Sequence, residues 1–212
     1  MARVVTTREQ ANALLGQVMG LVAATVGFSA LGAYVGRNMG GGGGIILFIA
    51  VFACVWGLNV ASSRGHQDLA TGLLFGVGLL LGLAVAPILN YYAKADQSAL
   101  WEAAGVTALS VAALGSYGYA SRRDLSSWYR GLFWALLALI VVGIVLVFVN
   151  IPQANVIWAV LGLVIFGGYT IVDFNRLRRA GKDEAVPIAA GIFLDIFNIF
   201  LLLLELFGGD NR

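Results

Sequence analysis

Seven long apolar stretches, separated by short clusters of glycine, charge and turn residues, run through this chain near 13–36, 45–63, 69–90, 99–120, 130–149, 154–176 and 187–207. Each approaches the ~20 residues that cross ~30 Å of hydrocarbon. The breaks are Arg37-Asn38-Met39 with the glycines that follow, Ser62-Ser63-Arg64-Gly65-His66, Tyr91 to Gln97, Ser121 to Asp124, Asn150-Ile151-Pro152 and Gly181 to Glu184. Clusters of this kind punctuate regular structure. Helix is the expected conformation, because an open strand leaves backbone groups unpaired in lipid. A membrane barrel would instead show ~10-residue segments of alternating polarity, which these runs lack. The expected fold class is an all-α membrane protein with seven transmembrane helices. Residues 13–207 form one transmembrane domain, between a polar tail at 1–12 and a short tail at 208–212, with no second domain and no internal repeat.

Composition agrees. Hydrophobic residues make up 60% of the 212 and charged residues 11%, against about a quarter charged in a soluble domain. A water-soluble fold could not cover that much apolar surface, so the lipid bilayer is the expected partner. The net charge of +2 and the lack of a basic stripe with interleaved aromatics exclude nucleic acid. Cys54 stands alone in an apolar run, which rules out disulfides and cysteine metal sites. His66 is the sole histidine, so a zinc protease or a Ser-His hydrolase lacks its parts. Met1–Asn12 is polar and the first apolar stretch is too long for the h-region of a signal peptide. Glycines inside the runs, such as Gly72, Gly76, Gly78, Gly82, Gly162, Gly167 and Gly168, read as helix-packing contacts. Gly40–Gly44 reads as a flexible outer loop.

Basic residues set the orientation. With a cytoplasmic N-terminus, Arg3, Arg8, Arg64, Arg122, Arg123, Arg130, Arg176, Arg178, Arg179 and Lys182 fall inside. Only Arg37, Lys94 and Arg212 fall outside. One miscounted helix would invert this bias, so it supports both the count of seven and an N-in, C-out topology.

Ionisable groups at membrane depth are costly and point to function. Glu102 and Glu205 lie near outer helix ends, where water is in reach. Asp173 and Asp195 lie deeper. They are symmetric about residue 184, inside the loop joining the sixth and seventh helices, so an antiparallel hairpin sets them on one level. Seven or eight residues at 1.5 Å each put that level about 11 Å from the loop. On the seventh helix Gly191, Asp195, Asn198, Leu202 and Glu205 share one face. On the sixth, Thr170 and Arg176 stand one turn to either side of Asp173. Two neighbouring carboxylates in a poorly solvated site cannot both ionise freely, so a shared proton and a pH-sensitive switch are expected. Arg64, at the inner end of the second helix, stands at the right level to be a counter-charge.

The segment Phe166-Gly-Gly-Tyr-Thr-Ile-Val-Asp173-Phe-Asn-Arg, followed by Ala189-Ala-Gly-Ile-Phe-Leu-Asp195-Ile-Phe-Asn-Ile-Phe-Leu, resembles the C-terminal signature of the Bax inhibitor-1, or transmembrane Bax inhibitor motif, family. Leu83-Ala-Val-Ala-Pro87 resembles a second, weaker signature. The resemblance covers nearly the whole chain. It implies six helices around a central, hydrophobic seventh. It also implies a bacterial-type pH-sensitive calcium leak in the inner membrane, with Asp173 and Asp195 as a di-aspartate sensor and Arg64 as its basic partner. Eukaryotic relatives suppress cell death and set reticulum calcium, and one bacterial branch modulates a membrane-anchored AAA protease. Two features depart from the pattern. Some bacterial relatives carry arginine where Glu205 stands, and some carry an acid in the second helix, which has none here.

These readings leave a proton-gated cation leak first. Asp173, Asp195 and Asn198, with backbone carbonyls, would offer calcium a weak site, and Glu205 would sit on the pathway. No cofactor and no catalysis are expected. The alternative is a non-transporting regulator that binds a membrane protease or another membrane partner through the tail Met1–Gln10. An intramembrane aspartyl protease also uses two aspartates, but the residues flanking Asp173 and Asp195 do not match its pairing. A retinal protein needs a lysine in the last helix, and Lys94 and Lys182 both lie in loops.

Overall fold

A computed structural model describes residues 8–38, 44–149 and 154–208. Seven helices occur among them, and no strand. They are α1 (Arg8–Gly36), α2 (Gly44–Ser63), α3 (Gln67–Ala95), α4 (Gln97–Ala120), α5 (Trp128–Phe148), α6 (Ala154–Leu177) and α7 (Ala185–Gly208). All seven are long and apolar enough to cross a membrane. Of the expected glycine loop Gly40–Gly44, residues 40–43 lie outside the described residues and Gly44 opens α2; the Asn150–Pro152 turn and most of both tails also lie outside them.

The helices overrun the apolar stretches that announce them. Arg8–Asn12, expected in the polar tail, already belong to α1. Tyr91–Ala95, expected as a break, continue α3. At 29 residues and 1.5 Å each, α3 is about 43 Å long, more than the hydrocarbon alone requires. Asp96 is the one residue between α3 and α4. Its carboxylate accepts the Ala99 N–H at 3.2 Å as an N-cap and also takes the Ser98 hydroxyl, so a single residue ends one helix and starts the next.

The chain forms two compact units. The first comprises residues 1–95 and 177–193, the second 96–176 and 194–212. In the first, α1 and α3 meet backbone to backbone. A Cβ added at Gly82 would lie 2.0 Å from the Ser29 carbonyl oxygen, and one at Gly32 would lie 2.2 Å from that of Leu79. Such distances are possible only because neither position carries a side chain. Gly72 has open space around it, so it does not share the role that the sequence assigned to both. Pro87 lies inside α3 and has no N–H to give the Leu83 carbonyl. Gly36 of α1 packs beside that carbonyl, with an added Cβ 3.2 Å from it.

The turn from α2 to α3 is closed by Gly65, with φ at +80°. Gly65 N–H reaches the Ser62 carbonyl at 3.0 Å and His66 N–H that of Ala61 at 2.9 Å. This Schellman pattern needs a left-handed residue, which glycine supplies. The loop before α7 is tied to this turn. Pro187 cannot donate to the Asp183 carbonyl four residues earlier. That oxygen instead accepts from Ser62 Oγ at 3.2 Å and Gln67 Nε2 at 3.3 Å. The α2–α3 and α6–α7 connections therefore lie on the same side of the membrane, as alternating crossings demand.

In the second unit, Gly118 of α4 faces the Ile171 carbonyl of α6, where an added Cβ would lie at 2.2 Å. Gly115 packs against the Phe174 ring, where an added Cβ would lie 2.9 Å from Cε2, and the Trp158 N–H of α6 donates to the Leu139 carbonyl of α5 at 2.8 Å. Among the seven spans α7 is the most enclosed, with 56% of its apolar stretch buried against at most 39% elsewhere. Large apolar side chains such as Trp56, Trp101, Trp134 and Phe148 are exposed, an arrangement that suits lipid and would be unfavourable in water.

Replacing Gly82 with leucine is expected to destabilise the protein by about 1–3 kcal/mol through overpacking, while Gly72→Ala changes stability by less than about 0.5 kcal/mol. Thermal unfolding of both variants in detergent checks this. Equal losses would mean that the α1–α3 approach is not the tight contact described.

Candidate functional site

Asp173 and Asp195 are buried, at 7% and 5% exposure. Both belong to the second unit, and Asp195 lies within electrostatic reach of Asp173. The hairpin brings them together from α6 and α7. The two carboxylates are held differently. Asp173 Oδ1 accepts a hydrogen bond from the Tyr129 hydroxyl, in the first turn of α5. The exposed Arg176, one turn further along α6, adds a positive charge near Asp173 and comes within bonding reach of the same phenol oxygen. Asp195 has Thr170 within hydrogen-bonding reach, though the Thr170 hydroxyl also donates to the Phe166 carbonyl at 2.9 Å. Asp195 Oδ2 has no partner. Among the described residues no other buried side-chain oxygen or nitrogen is left so. Tyr169 lies near enough to feel both acids.

Beside this pair stands a polar clamp that the sequence reading missed. Asn175 is 1% exposed. Its amide nitrogen lies 3.1 Å from the carbonyl oxygens of Gly118, Ser121 and Arg123, and its oxygen accepts the Leu125 N–H, also at 3.1 Å. One side chain thus ties the α4–α5 connection to the end of α6. The connection then turns into α5 through Trp128 N–H to the Leu125 carbonyl at 2.9 Å, which sets Tyr129 over Asp173. A polar residue two positions after a buried acid was the available signal. Near the end of a helix it reads equally well as a solvated one.

Arg64 lies just past α2 in the first unit, with its side chain exposed. Asn198 is half-buried and donates to the Leu194 carbonyl of its own helix at 2.7 Å. Glu102 and Glu205 are exposed, as acids near helix ends should be. No group of three or more His, Cys, Asp or Glu side chains that could hold a metal ion occurs among the described residues. Two carboxylates fall short of the six to eight oxygens of a tight calcium site.

Seven apolar helices and a buried acidic pair make this a multi-pass integral membrane protein. A model of the family described as "Inhibitor of apoptosis-promoting Bax1" matches residues 11–212, and the chain belongs to that family. Relatives include an uncharacterized protein of Helicobacter pylori, 27% identical over 77% of this chain and 70% of the relative. The Golgi anti-apoptotic protein of vaccinia virus is 28% identical over 81% of this chain and 72% of its own. The inner membrane protein YbhL of Escherichia coli is 29% identical, with 76% and 73% covered.

Asn175→Ala leaves the Leu125 N–H without its acceptor, which costs about 1–3 kcal/mol for a buried group. The expected result is a lower unfolding temperature and faster tryptic cleavage after Arg122 and Arg123. Unchanged cleavage would show that the clamp does not hold this connection.

Proposed function

We propose that this protein is a proton-gated cation leak of the bacterial inner membrane, with calcium as the ion that passes and the N-terminus in the cytoplasm. The observation that carries the reading is the buried pair at the basic end of α6 and α7, one acid bonded and the other with a bare oxygen. A purely structural role is met at lower cost by apolar side chains, because buried ionisable groups without full hydrogen bonding destabilise a fold. Proton binding and release at membrane depth gives such a cost a use.

The mechanism follows from charge. With one proton on the pair, the site carries a single negative charge and α6 and α7 stay packed. Loss of that proton places two like charges at close range in a poorly solvated site, and their repulsion separates the helices. The freed carboxylate oxygens then offer a passing cation a few ligands, too few to retain it, and weak binding is what conduction requires. Calcium is cargo in this reading, not a resident cofactor, and no catalytic step is assigned. Arg64 enters as a counter-charge on the family resemblance, as Asn198 and Glu205 enter as pathway residues. Binding to a membrane-anchored protease is the competing role. Deleting Met1–Gln10 would abolish such binding and leave ion flux unchanged.

Reconstituted in liposomes, the protein is expected to pass calcium faster as pH rises through about 6 to 8, the range in which a shared proton is exchanged. Asp195→Asn removes the second charge and flattens this response. Flux in the Asp195→Asn protein that still follows pH as in the wild type would dismiss the pair as the sensor.

A further inference from the structure

Tyr129 lies outside every motif discussed above, yet its hydroxyl reaches the buried acid of another helix. A phenol O–H bonded to a carboxyl oxygen donates, so Asp173 is placed as the acceptor. The positive charge of Arg176 acts on Asp173 in the same sense and reaches the phenol oxygen as well. Arg176, Tyr129 and Asp173 thus form a short chain from an exposed guanidinium to a buried carboxylate. Asp195 has no such support. It faces Asp173 from α7, with Thr170 and Tyr169 of α6 beside it, and its Oδ2 is bare. Ionised, Asp195 would hold an unsolvated oxygen next to a like charge. Protonated, it avoids the like charge.

We propose that Tyr129 is the third member of the carboxylate site, a positioning residue that holds Asp173 as the ionised partner and leaves the exchangeable proton on Asp195. The two acids are then not interchangeable. Asp173 is the fixed anion, bolted to α5, and Asp195 is the group whose charge changes. Asn175 makes this geometry repeatable. It fixes Leu125 in the connection four residues before Tyr129, so α6 holds both the approach to α5 and its first turn. The consequence for gating rests on the leak reading above. The assignment of the proton does not.

The test is infrared difference spectroscopy of the full chain in lipid, following the protonated-carboxyl C=O band as pH is raised. The band is expected to vanish in Asp195→Asn and to persist in Asp173→Asn. Tyr129→Phe deletes only the hydroxyl and keeps the ring against Tyr169, whose centroid lies 6.1 Å away. Combined with Asp195→Asn, it is expected to raise the Asp173 midpoint by about one pH unit, so that a titrating band, now on Asp173, returns to the pH window from which it vanished in Asp195→Asn alone. That shift is what losing one hydrogen bond to a charged group produces. A band that survives Asp195→Asn and disappears in Asp173→Asn would overturn the assignment. So would a Tyr129→Phe background that leaves the midpoint unmoved. Because the readout is protonation and not flux, it holds even if the protein proves to carry no ion.

Discussion

Within a membrane no water is available to a stray N–H or carbonyl, and the rest of this structure follows from meeting that demand internally. Helices answer most of it. What they leave over is settled by local devices. The hydroxyls of Thr25, Thr71, Thr107 and Thr170 and the amides of Asn59 and Asn198 all turn back to the carbonyl four residues earlier, which hides polar atoms at little geometric cost. Pro87, inside α3, and Pro187, in the first turn of α7, have no N–H to give the carbonyl four residues earlier. At Asp183 the orphan is taken up by Ser62 and Gln67, and the compensation fastens the last loop to the α2–α3 turn. At Leu83 the freed oxygen lies beside Gly36, where only a residue without a side chain leaves the two helices so close.

Close approach is the second consequence. Lipid tails are as apolar as leucine, so no hydrophobic gain draws these helices together, and contact must come from packing. That is why the tight contacts sit at glycines opposite backbone, Gly82 against Ser29 and Gly118 against Ile171. Large side chains are left for the lipid face. The Gly118 contact also lies one turn before Asn175 on α6, so the tightest part of the α4–α6 interface and the asparagine clamp reinforce the same end of the helix.

The helix count and the acidic pair were readable in the sequence because each rests on spacing along one chain. Hydropathy records hydrocarbon thickness and not helix length, so Tyr91–Ala95 looked like a break although α3 continues through them. The pairing of Asp173 with Asp195 followed from hairpin symmetry alone. Tyr129 and Asn175 escaped for the opposite reason. Their partners lie 44 to 57 residues away, on or near other helices, and nothing in a local pattern reports a contact at that range. A tyrosine near a helix end also reads naturally as one of the aromatics that line membrane interfaces. Arg176, one turn from Asp173 on the same helix and visible at that spacing in the sequence, adds a positive charge near it.

The accounting of polar groups bears on function. In a structure that reassigns even the Asp183 carbonyl, to which Pro187 cannot donate, a single buried side-chain oxygen among the described residues is left without a partner, and it belongs to Asp195. Packing does not account for this, since leucine or asparagine at that position would avoid the cost or share it. Nor does the neighbourhood lack donors, because Tyr129 is supplied to Asp173 a short distance away. The site therefore stabilises one carboxylate and leaves the other dependent on its proton. A group in that position keeps the helices packed while the proton stays and works against the packing once it leaves, which is the asymmetry a proton-driven switch needs.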